Sequence, residues 1–289
     1  MVRDASKRGP DACHEAALRE PIVVKSLAVK PLVVNGAPVA DGRLPAICAP
    51  LIGRTAHAVL AELAAVLPKS PDVLEWRVDH FAAITRVDDV VAVARRIRAA
   101  AHGVPLIFTR RSEREGGAQA AITDDHALAL YEAVCAERCA DFVDWELSSG
   151  PASLARARAA AHANGIALIA SFHDFRATPA ASVLLDTFAR AANAGADVAK
   201  VAVMPGDARD VLTLLDATWQ ASRSLAIPLI SMSMGPLGAV SRIAGFLYGS
   251  ALTFGVGAAS SAPGQLAIDE LRATLETMRR ASGAAAVSG

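Results

Sequence analysis

The sequence predicts an α/β protein, a (β/α)8 TIM barrel in which each of eight parallel strands is followed by a helix. Eight short apolar runs rich in Val, Ile and Leu recur from Ala46 onward, and nearly continuous hydrophobicity is typical of strands buried on both faces. Ala-rich helical stretches separate these runs, and roughly 25 to 35 residues lie between successive strand starts. Eight such units favour a closed barrel over a doubly wound sheet.

The elements follow from this pattern in chain order. The predicted strands are Ala46–Ile52, Val73–Asp79, Pro105–Arg110, Phe142–Leu147, Ala167–His173, Val198–Met204, Pro228–Met234 and Leu252–Val256. Gly103, Gly165 and Gly195 each lie between a helical stretch and a strand, where glycine commonly ends a helix. Before the first strand, Asn35-Gly36 lies between apolar residues and predicts a β-hairpin. That hairpin either closes the bottom of the barrel or lies on its surface.

Composition sets the expected organisation and disfavours several classes of function. The 289 residues are 53% apolar, and 29 acidic residues balance 29 Lys and Arg, so nucleic-acid or membrane-surface binding is not indicated. No apolar run reaches the roughly 20 residues of a membrane-spanning helix, and the N-terminal segment lacks the apolar stretch of a signal peptide. We expect a disordered tail over residues 1–25, a single barrel domain over 26–281, a flexible end over 282–289 and a cytoplasmic location.

The four cysteines are too few to indicate a disulfide framework in a chain of this length. Cys135 and Cys139 are four residues apart on a predicted helix, and no second pair of metal ligands follows them. We therefore interpret them as reduced packing residues rather than as part of a metal site.

Lys200 is the most informative single residue, because it interrupts an apolar strand with no carboxylate in the next few residues. Burial without a partner disfavours the ammonium form, so we expect a lowered pKa. A neutral amine in a pocket is a nucleophile toward carbonyl carbon and forms a Schiff base. The alternative is a strand-end lysine that simply reaches water.

Other polar residues gather where the predicted strands end, which is where the active site of a barrel lies. Glu75, Arg77 and Asp79 share one face of the second strand, and they either bind a polar ligand or form a structural ion-pair network. His173 ends the fifth strand, next to the strand of Lys200. It is either a general base acting beside the imine or a histidine that is merely hydrogen-bonded.

The remaining strand ends carry further charges. Arg111 and Glu115 precede Gly116-Gly117, which is typical of a catalytic loop or of a solvated charge cluster. Asp144 and Glu146 on the fourth strand belong to the polar interior or to a salt bridge.

After the seventh and eighth strands, one basic residue and one small-residue segment stand out. Arg242 follows Ser241 at a predicted helix start, where it suits a carboxylate ligand better than the helix dipole. Residues 260–265 form a mobile lid or an ordinary loop.

Together these motifs resemble the type I 3-dehydroquinate dehydratases from about Ala46 to Arg280. The matching segments are Glu75–Phe81, Arg111 with Glu115–Gly117, His173–Phe175, Lys200–Pro205, Met232–Met234, Ser241-Arg242 and Ser261–Gln265. The resemblance implies a hydro-lyase of the shikimate pathway that converts 3-dehydroquinate to 3-dehydroshikimate. It also implies a small-molecule substrate, neither metal nor organic cofactor, and a homodimer.

The resemblance also implies roles for individual residues. Lys200 would form the Schiff base at the C3 ketone, His173 would remove the C2 proton and assist the departure of water, and Glu115 would orient His173. Arg242 and Gln265 would hold the substrate carboxylate. The residues implied in substrate binding are Glu75, Arg77, Arg111, Arg242, Phe254, Ser261, Ala262 and Gln265.

Two positions depart from the family pattern. Pro50 stands where some relatives carry Ser, and Phe172 stands where Asn is common; Phe172 should point away from His173. Two other functions stay open at this point. One is another Schiff-base barrel enzyme, such as an aldolase of the transaldolase kind, and the other is a non-catalytic barrel that binds quinate-like ligands.

Overall fold

A computed structural model describes residues 29–39, 43–120, 122–258 and 261–281. The predicted tail over residues 1–25 and the predicted flexible end over 282–289 lie outside this part of the chain. The strands are β1 Val33–Val34, β2 Ala37–Pro38, β3 Ala46–Leu51, β4 Val73–Arg77, β5 Leu106–Thr109, β6 Phe142–Glu146, β7 Ala167–Asp174, β8 Val198–Val203, β9 Leu229–Ser233, β10 Leu252–Val256 and β11 Leu266–Ala267.

Strands β3 to β10 form the predicted barrel and pair in parallel from each strand to the next. The barrel closes between β9 and β10, where a parallel bridge joins Leu229 to Ser250. The amide of Ala251 donates to the Leu229 carbonyl at 2.7 Å in the same place. The eight predicted strands are confirmed, with ends that differ by two residues or fewer.

Two local features differ from the predicted strand pattern. The second strand ends at Arg77, because Val78–His80 form a turn of 3-10 helix. The two-residue strand β11 pairs in parallel with the end of β10, and two residues are too few to produce a periodic signal.

The described α-helices alternate with the barrel strands. They are α1 Ala56–Val66, α2 Val87–Ala100, α3 Asp124–Ala136, α4 Pro151–Ala163, α5 Ala181–Asn193, α6 Ala208–Ser224, α7 Ala239–Ala244 and α8 Ile268–Ala281. Side-chain oxygens of Thr55, Thr123 and Asp207 accept backbone amide protons at the starts of α1, α3 and α6, which satisfies donors that the helix leaves unpaired. The predicted glycines at 103, 165 and 195 follow helices with positive φ angles.

The predicted hairpin is present as the antiparallel pair β1 and β2. Asn35 and Gly36 both have positive φ in the connecting turn, as a two-residue type I′ turn requires. Leu32 is buried in the barrel core, and the amine of Lys30 donates to the Ser222 carbonyl near the end of α6. Because α6 ends at the same side as the start of β9, the hairpin closes the bottom of the barrel.

Aromatic packing joins the strands of one side of the barrel to the helix outside them. Trp76, Phe108, Tyr131 and Trp145 make successive edge-to-face contacts with centroids 4.9 to 5.7 Å apart. The Tyr131 hydroxyl donates to the Asp144 carbonyl at 2.6 Å and accepts from the Arg110 amide at 2.7 Å. These bonds hold α3 against the ends of β5 and β6, where charged residues of the site begin.

Cysteines 48, 135 and 139 are free and buried, which confirms the packing interpretation of Cys135 and Cys139. Burial raises the pKa of the Cys135 thiol to about 12, so this thiol stays protonated near neutral pH. Cys13 lies outside the described residues. Within the described ranges, helices α1 to α8 include no segment with the length and apolarity that crossing a membrane requires.

Candidate active site

A pocket opens at the carboxyl ends of the barrel strands and brings together all eleven predicted site residues. Its lining is Glu75, Arg77, Arg111, Glu115, His173, Phe175, Lys200, Ala202, Met232, Met234, Arg242, Phe254, Ser261, Ala262 and Gln265. Four of these, Phe175, Ala202, Met232 and Met234, were not among the predicted site residues. Phe175, Met232 and Met234 lie in segments that carry the family resemblance, but apolar side chains at the ends of strands look like core residues in the sequence, and the geometry identifies them as pocket walls.

Lys200 is buried on the inner face of β8, but it is not the unpartnered amine that the sequence suggested. Its Nζ lies 2.8 Å from Oδ2 of Asp144 and 3.3 Å from Oε1 of Glu75. It also lies 4.8 Å from the centroid of the Phe254 ring. The expectation of a lone ammonium is therefore wrong, because both carboxylates come from other strands of the barrel and are remote in sequence.

His173 and Glu115 form a buried pair beside Lys200. One carboxylate oxygen of Glu115, Oε2, accepts from the backbone amide of His173 at 2.9 Å and lies 2.8 Å from its Nδ1. Burial raises the pKa of Glu115 to about 7, with the nearby Glu146 acting in the same direction and Arg111 opposing both. An ionised Glu115 requires the proton on Nδ1, which leaves Nε2 unprotonated as an acceptor.

The environment keeps the His173 imidazole neutral. Burial holds the pKa of His173 well below its ordinary value, and the positive charges of Arg111 and Lys200 lower it further. A neutral imidazole with its Nδ1 proton fixed is the form that a general base needs.

Arg111 connects the strand ends on either side of this pair. Its guanidinium donates to Asp144 at 2.8 Å, to Glu146 at 3.1 Å and to the Ser171 hydroxyl at 2.9 Å. These carboxylates raise the pKa of Arg111, and the positive charges of Arg111 and Lys200 lower the pKa of Asp144. Asp144 and Glu146 thus form buried salt bridges, one of the two interpretations that their spacing allowed.

The three charges predicted on β4 divide into two groups. Arg77 and Asp79 form a bidentate pair with both contacts at 2.8 Å, and this pairing lowers the pKa of Asp79. Asp79 also accepts from the amides of Arg111 and Ala118, so it holds Arg77 and the loop after β5 in place. Glu75 instead accepts from the Thr109 hydroxyl at 2.9 Å and faces the lysine.

Arg242 differs from the other arginines of the pocket, since none of the described acidic side chains pairs with it. Its guanidinium donates to the Pro263 carbonyl at 3.0 Å and contacts the Met232 sulfur at 3.7 Å, while its Nε has no hydrogen-bond partner among the described residues. Burial lowers the pKa of Arg242 to about 10. A buried guanidinium without a counter-ion is a binding site for an anion. The helix around it begins at Ala239, so Arg242 lies within α7 rather than opening it.

The segment from Ser261 to Gln265 covers this part of the pocket. The Ser261 amide donates to Oε1 of Gln265 at 3.0 Å, and the Gln265 amide donates to the Ser261 hydroxyl at 3.2 Å. The amide of Gly235 donates to the Pro263 carbonyl. A Cβ on Gly264 would lie 2.3 Å from the Gly235 carbonyl oxygen, so only glycine permits this close approach.

The fold and the site define a (β/α)8-barrel protein in which a buried lysine on one strand shares a pocket with a histidine–carboxylate pair. The family model for type I 3-dehydroquinase matches residues 47–282. The chain belongs to the type I 3-dehydroquinase family.

Individual relatives agree with this assignment. The chain is 53% identical over 254 residues to the 3-dehydroquinate dehydratase of Albidiferax ferrireducens, covering 88% of this chain and 96% of that protein. The crystal structure of the Geobacillus kaustophilus 3-dehydroquinate dehydratase superposes with a TM-score of 0.86 at 44% identity, over 89% of this chain and 100% of that one. The type I enzyme of Clostridium difficile, solved with covalently modified comenic acid, has a TM-score of 0.83 at 34% identity, over 88% and 99%.

Proposed function

We propose that the protein dehydrates 3-dehydroquinate to 3-dehydroshikimate through a Schiff base on Lys200. The observation that carries the proposal is the convergence of Lys200, the His173–Glu115 pair and the unpaired Arg242 cation on one pocket. A keto acid with a proton beside its ketone matches these three groups in turn.

The first chemical step forms the imine. Nζ of Lys200 gives one proton to solvent, and the resulting amine attacks the C3 carbonyl carbon. The carbonyl oxygen then takes up one proton in exchange and leaves as water. The protonated imine retains one positive charge at the position that the ammonium occupied. Asp144 and Glu75 lie within 3.3 Å of that nitrogen and stabilise this charge, so the imine stays in the form that withdraws electrons.

The second step uses His173 as a base. Its Nε2 removes the proton from C2, and the electron pair moves into the imine to give an enamine. The enamine expels the C1 hydroxyl, which leaves as water with the proton returned by His173. Addition of water to the remaining imine releases the enone and restores the lysine. Glu115 fixes the Nδ1 proton through both transfers.

The carboxylate of the substrate has one well-suited position. Arg242 is the buried cation without an acidic partner among the described residues, and Gln265 and Ser261 line the same side of the pocket. We assign the substrate carboxylate to Arg242. Glu75, Arg77 and Arg111 remain for the ring hydroxyls, with Phe254 as an apolar wall and Ala262 in the covering segment.

The family resemblance also supports a homodimer and a cytoplasmic location, which we propose with the activity. Light scattering in solution measures the oligomeric state directly. The aldolase and ligand-binding alternatives have no separate observation in their favour.

The activity is tested by adding 3-dehydroquinate and following the ultraviolet absorbance of the conjugated enone. The wild-type protein should produce it, and the Lys200→Ala variant should not. Lys30→Ala serves as the lysine control, since Lys30 lies at the opposite end of the barrel beside Ser222. Sugar-phosphate cleavage without enone formation would favour the aldolase. A ligand-induced rise in Tm without turnover would favour the non-catalytic barrel.

A further inference from the structure

Ser148 makes a contact with the acid–base pair that was not anticipated. It lies in the single 3-10 turn Leu147–Ser149 that follows β6, on a different loop from Glu115 and His173. Its hydroxyl donates to Oε1 of Glu115 at 2.5 Å, a distance typical of a hydrogen bond to a charged oxygen. The other oxygen of the same carboxylate, Oε2, is occupied by the amide and Nδ1 of His173.

We propose that Ser148 is a positioning residue, which holds the Glu115 carboxylate in the ionised state and orientation that keep the proton of His173 on Nδ1. This proposal rests on the proposed function, in which Nε2 of His173 must accept a proton. Ser148 acts through Glu115, since it is not among the residues that line the pocket.

The charges around Glu115 explain why one hydroxyl matters. Arg111 faces it at 3.7 Å and favours its ionised form, whereas Glu146 and Asp144 on β6 favour the protonated form. Lys200 on β8 acts on the partner imidazole. Burial and the two acidic neighbours raise the pKa of Glu115, and the Ser148 hydroxyl lowers it.

Loss of the Ser148 hydroxyl would therefore favour a protonated Glu115. A protonated carboxyl group donates to Nδ1 instead of accepting from it, which moves the imidazole proton to Nε2. The histidine then cannot act as a base toward the pocket. The fraction of enzyme in this inactive form increases as the pH falls.

Two variants whose new side chains have equal shape separate the effect of the hydroxyl from that of side-chain volume. Ser148→Thr keeps it, and Ser148→Val removes it while filling the space that a water molecule would otherwise take. Ser149→Ala is the matched control, because the side chain of Ser149 accepts from the exposed Arg114 instead. We expect Ser148→Val to move the acidic limb of the kcat profile upward by about one pH unit. Near pH 7, close to the pKa of Glu115, a shift of this size should lower its kcat roughly fivefold with little change in KM, while the Thr and Ser149 variants match wild type.

A second measurement does not depend on turnover. Nitrogen-15 NMR of the His173 ring should show the proton on Nδ1 in wild type and in Ser148→Thr near pH 8, and a shift toward Nε2 as the pH falls. In Ser148→Val that shift should occur at higher pH. Equal titrations in the Thr and Val variants would overturn the proposal, as would a pH-independent fall in kcat. If the titrations differ but wild type does not dehydrate 3-dehydroquinate, the proposed function fails, while the effect of Ser148 on the His173–Glu115 pair stands.

Discussion

Nζ of Lys200 on β8 lies 2.8 Å from Oδ2 of Asp144 on β6, across the intervening strand β7. Asp144 is fully buried and also receives the Arg111 guanidinium, so the lysine is part of a compensated charge network. The pairing stabilises the positive charge of the ammonium, and it would stabilise a protonated imine at the same position.

Replacement of Lys200 should therefore affect stability as well as activity. Lys200→Met leaves Asp144 and Glu75 buried without the ammonium, which should lower the free energy of unfolding by about 3 kcal/mol. Adding Asp144→Asn in the same chain should restore part of the loss, because it removes one uncompensated charge. Urea unfolding of the two single variants and the double variant measures this coupling. Strictly additive changes would contradict the pairing.

His173→Ala should slow turnover about 100- to 10,000-fold, since the general base is lost while the lysine remains. Imine formation requires only Lys200, so borohydride should still trap substrate on this variant. Single-turnover kinetics with mass detection separates the two steps. Normal turnover in His173→Ala would assign the base to another residue.

Arg242→Met tests the unpaired cation. Burial lowers the pKa of Arg242 to about 10, so the folded state disfavours its charge at neutral pH. Removing that charge should leave the free energy of unfolding unchanged or raise it, by at most about 3 kcal/mol. The product 3-dehydroshikimate, which carries the carboxylate, should raise the Tm of wild type but not of the variant. Arg190→Met, at an exposed position of α5, is the control, and equal stabilisation of all three proteins would place the carboxylate elsewhere.

The His173–Glu115 pair should contribute two opposing slopes to stability between pH 4.5 and 7. The pKa of Glu115 is raised from 4.5 to about 7 on folding, so its contribution is present below pH 4.5 and is lost as the pH rises through 7. The pKa of His173 is lowered from 6.5, so its contribution is present above pH 6.5 and is lost as the pH falls through the folded value.

Single variants separate these slopes. His173→Gln should gain stability relative to wild type as the pH falls from 7 to 4.5, because only the contribution of Glu115 to the free energy of unfolding remains. Glu115→Gln should lose stability as the pH falls below 6.5, because only the contribution of His173 to the free energy of unfolding remains. Denaturant unfolding at half-unit pH steps measures the free energy of unfolding of both variants. Slopes of the same sign in the two variants would contradict the opposing contributions of Glu115 and His173.

The sequence predicts the barrel strands well, because a strand buried on both faces is apolar along its whole length, as in Ala46–Leu51. It also predicts the pocket residues, since charged residues such as Glu75 and His173 at strand ends must face the polar mouth of the barrel. The resemblance to a family then proposes a role for each of them.

Pairings across the barrel could not be predicted in the same way. Asp144 and Lys200 are 56 positions apart, and only the strand register brings them together, so the lysine looked unpartnered. Ser148 has no periodic or charge signal in the turn after β6. Its role depends on the distance to one oxygen of Glu115.

The most direct test of the Schiff-base account is the intact mass of the protein after addition of 3-dehydroquinate and borohydride. Wild type and Lys30→Ala should gain the mass of one reduced substrate or product adduct, which peptide mapping should place on Lys200, while Lys200→Ala should gain none. An adduct that persists on Lys200→Ala, or enone formation by wild type without any trapped adduct, would contradict it.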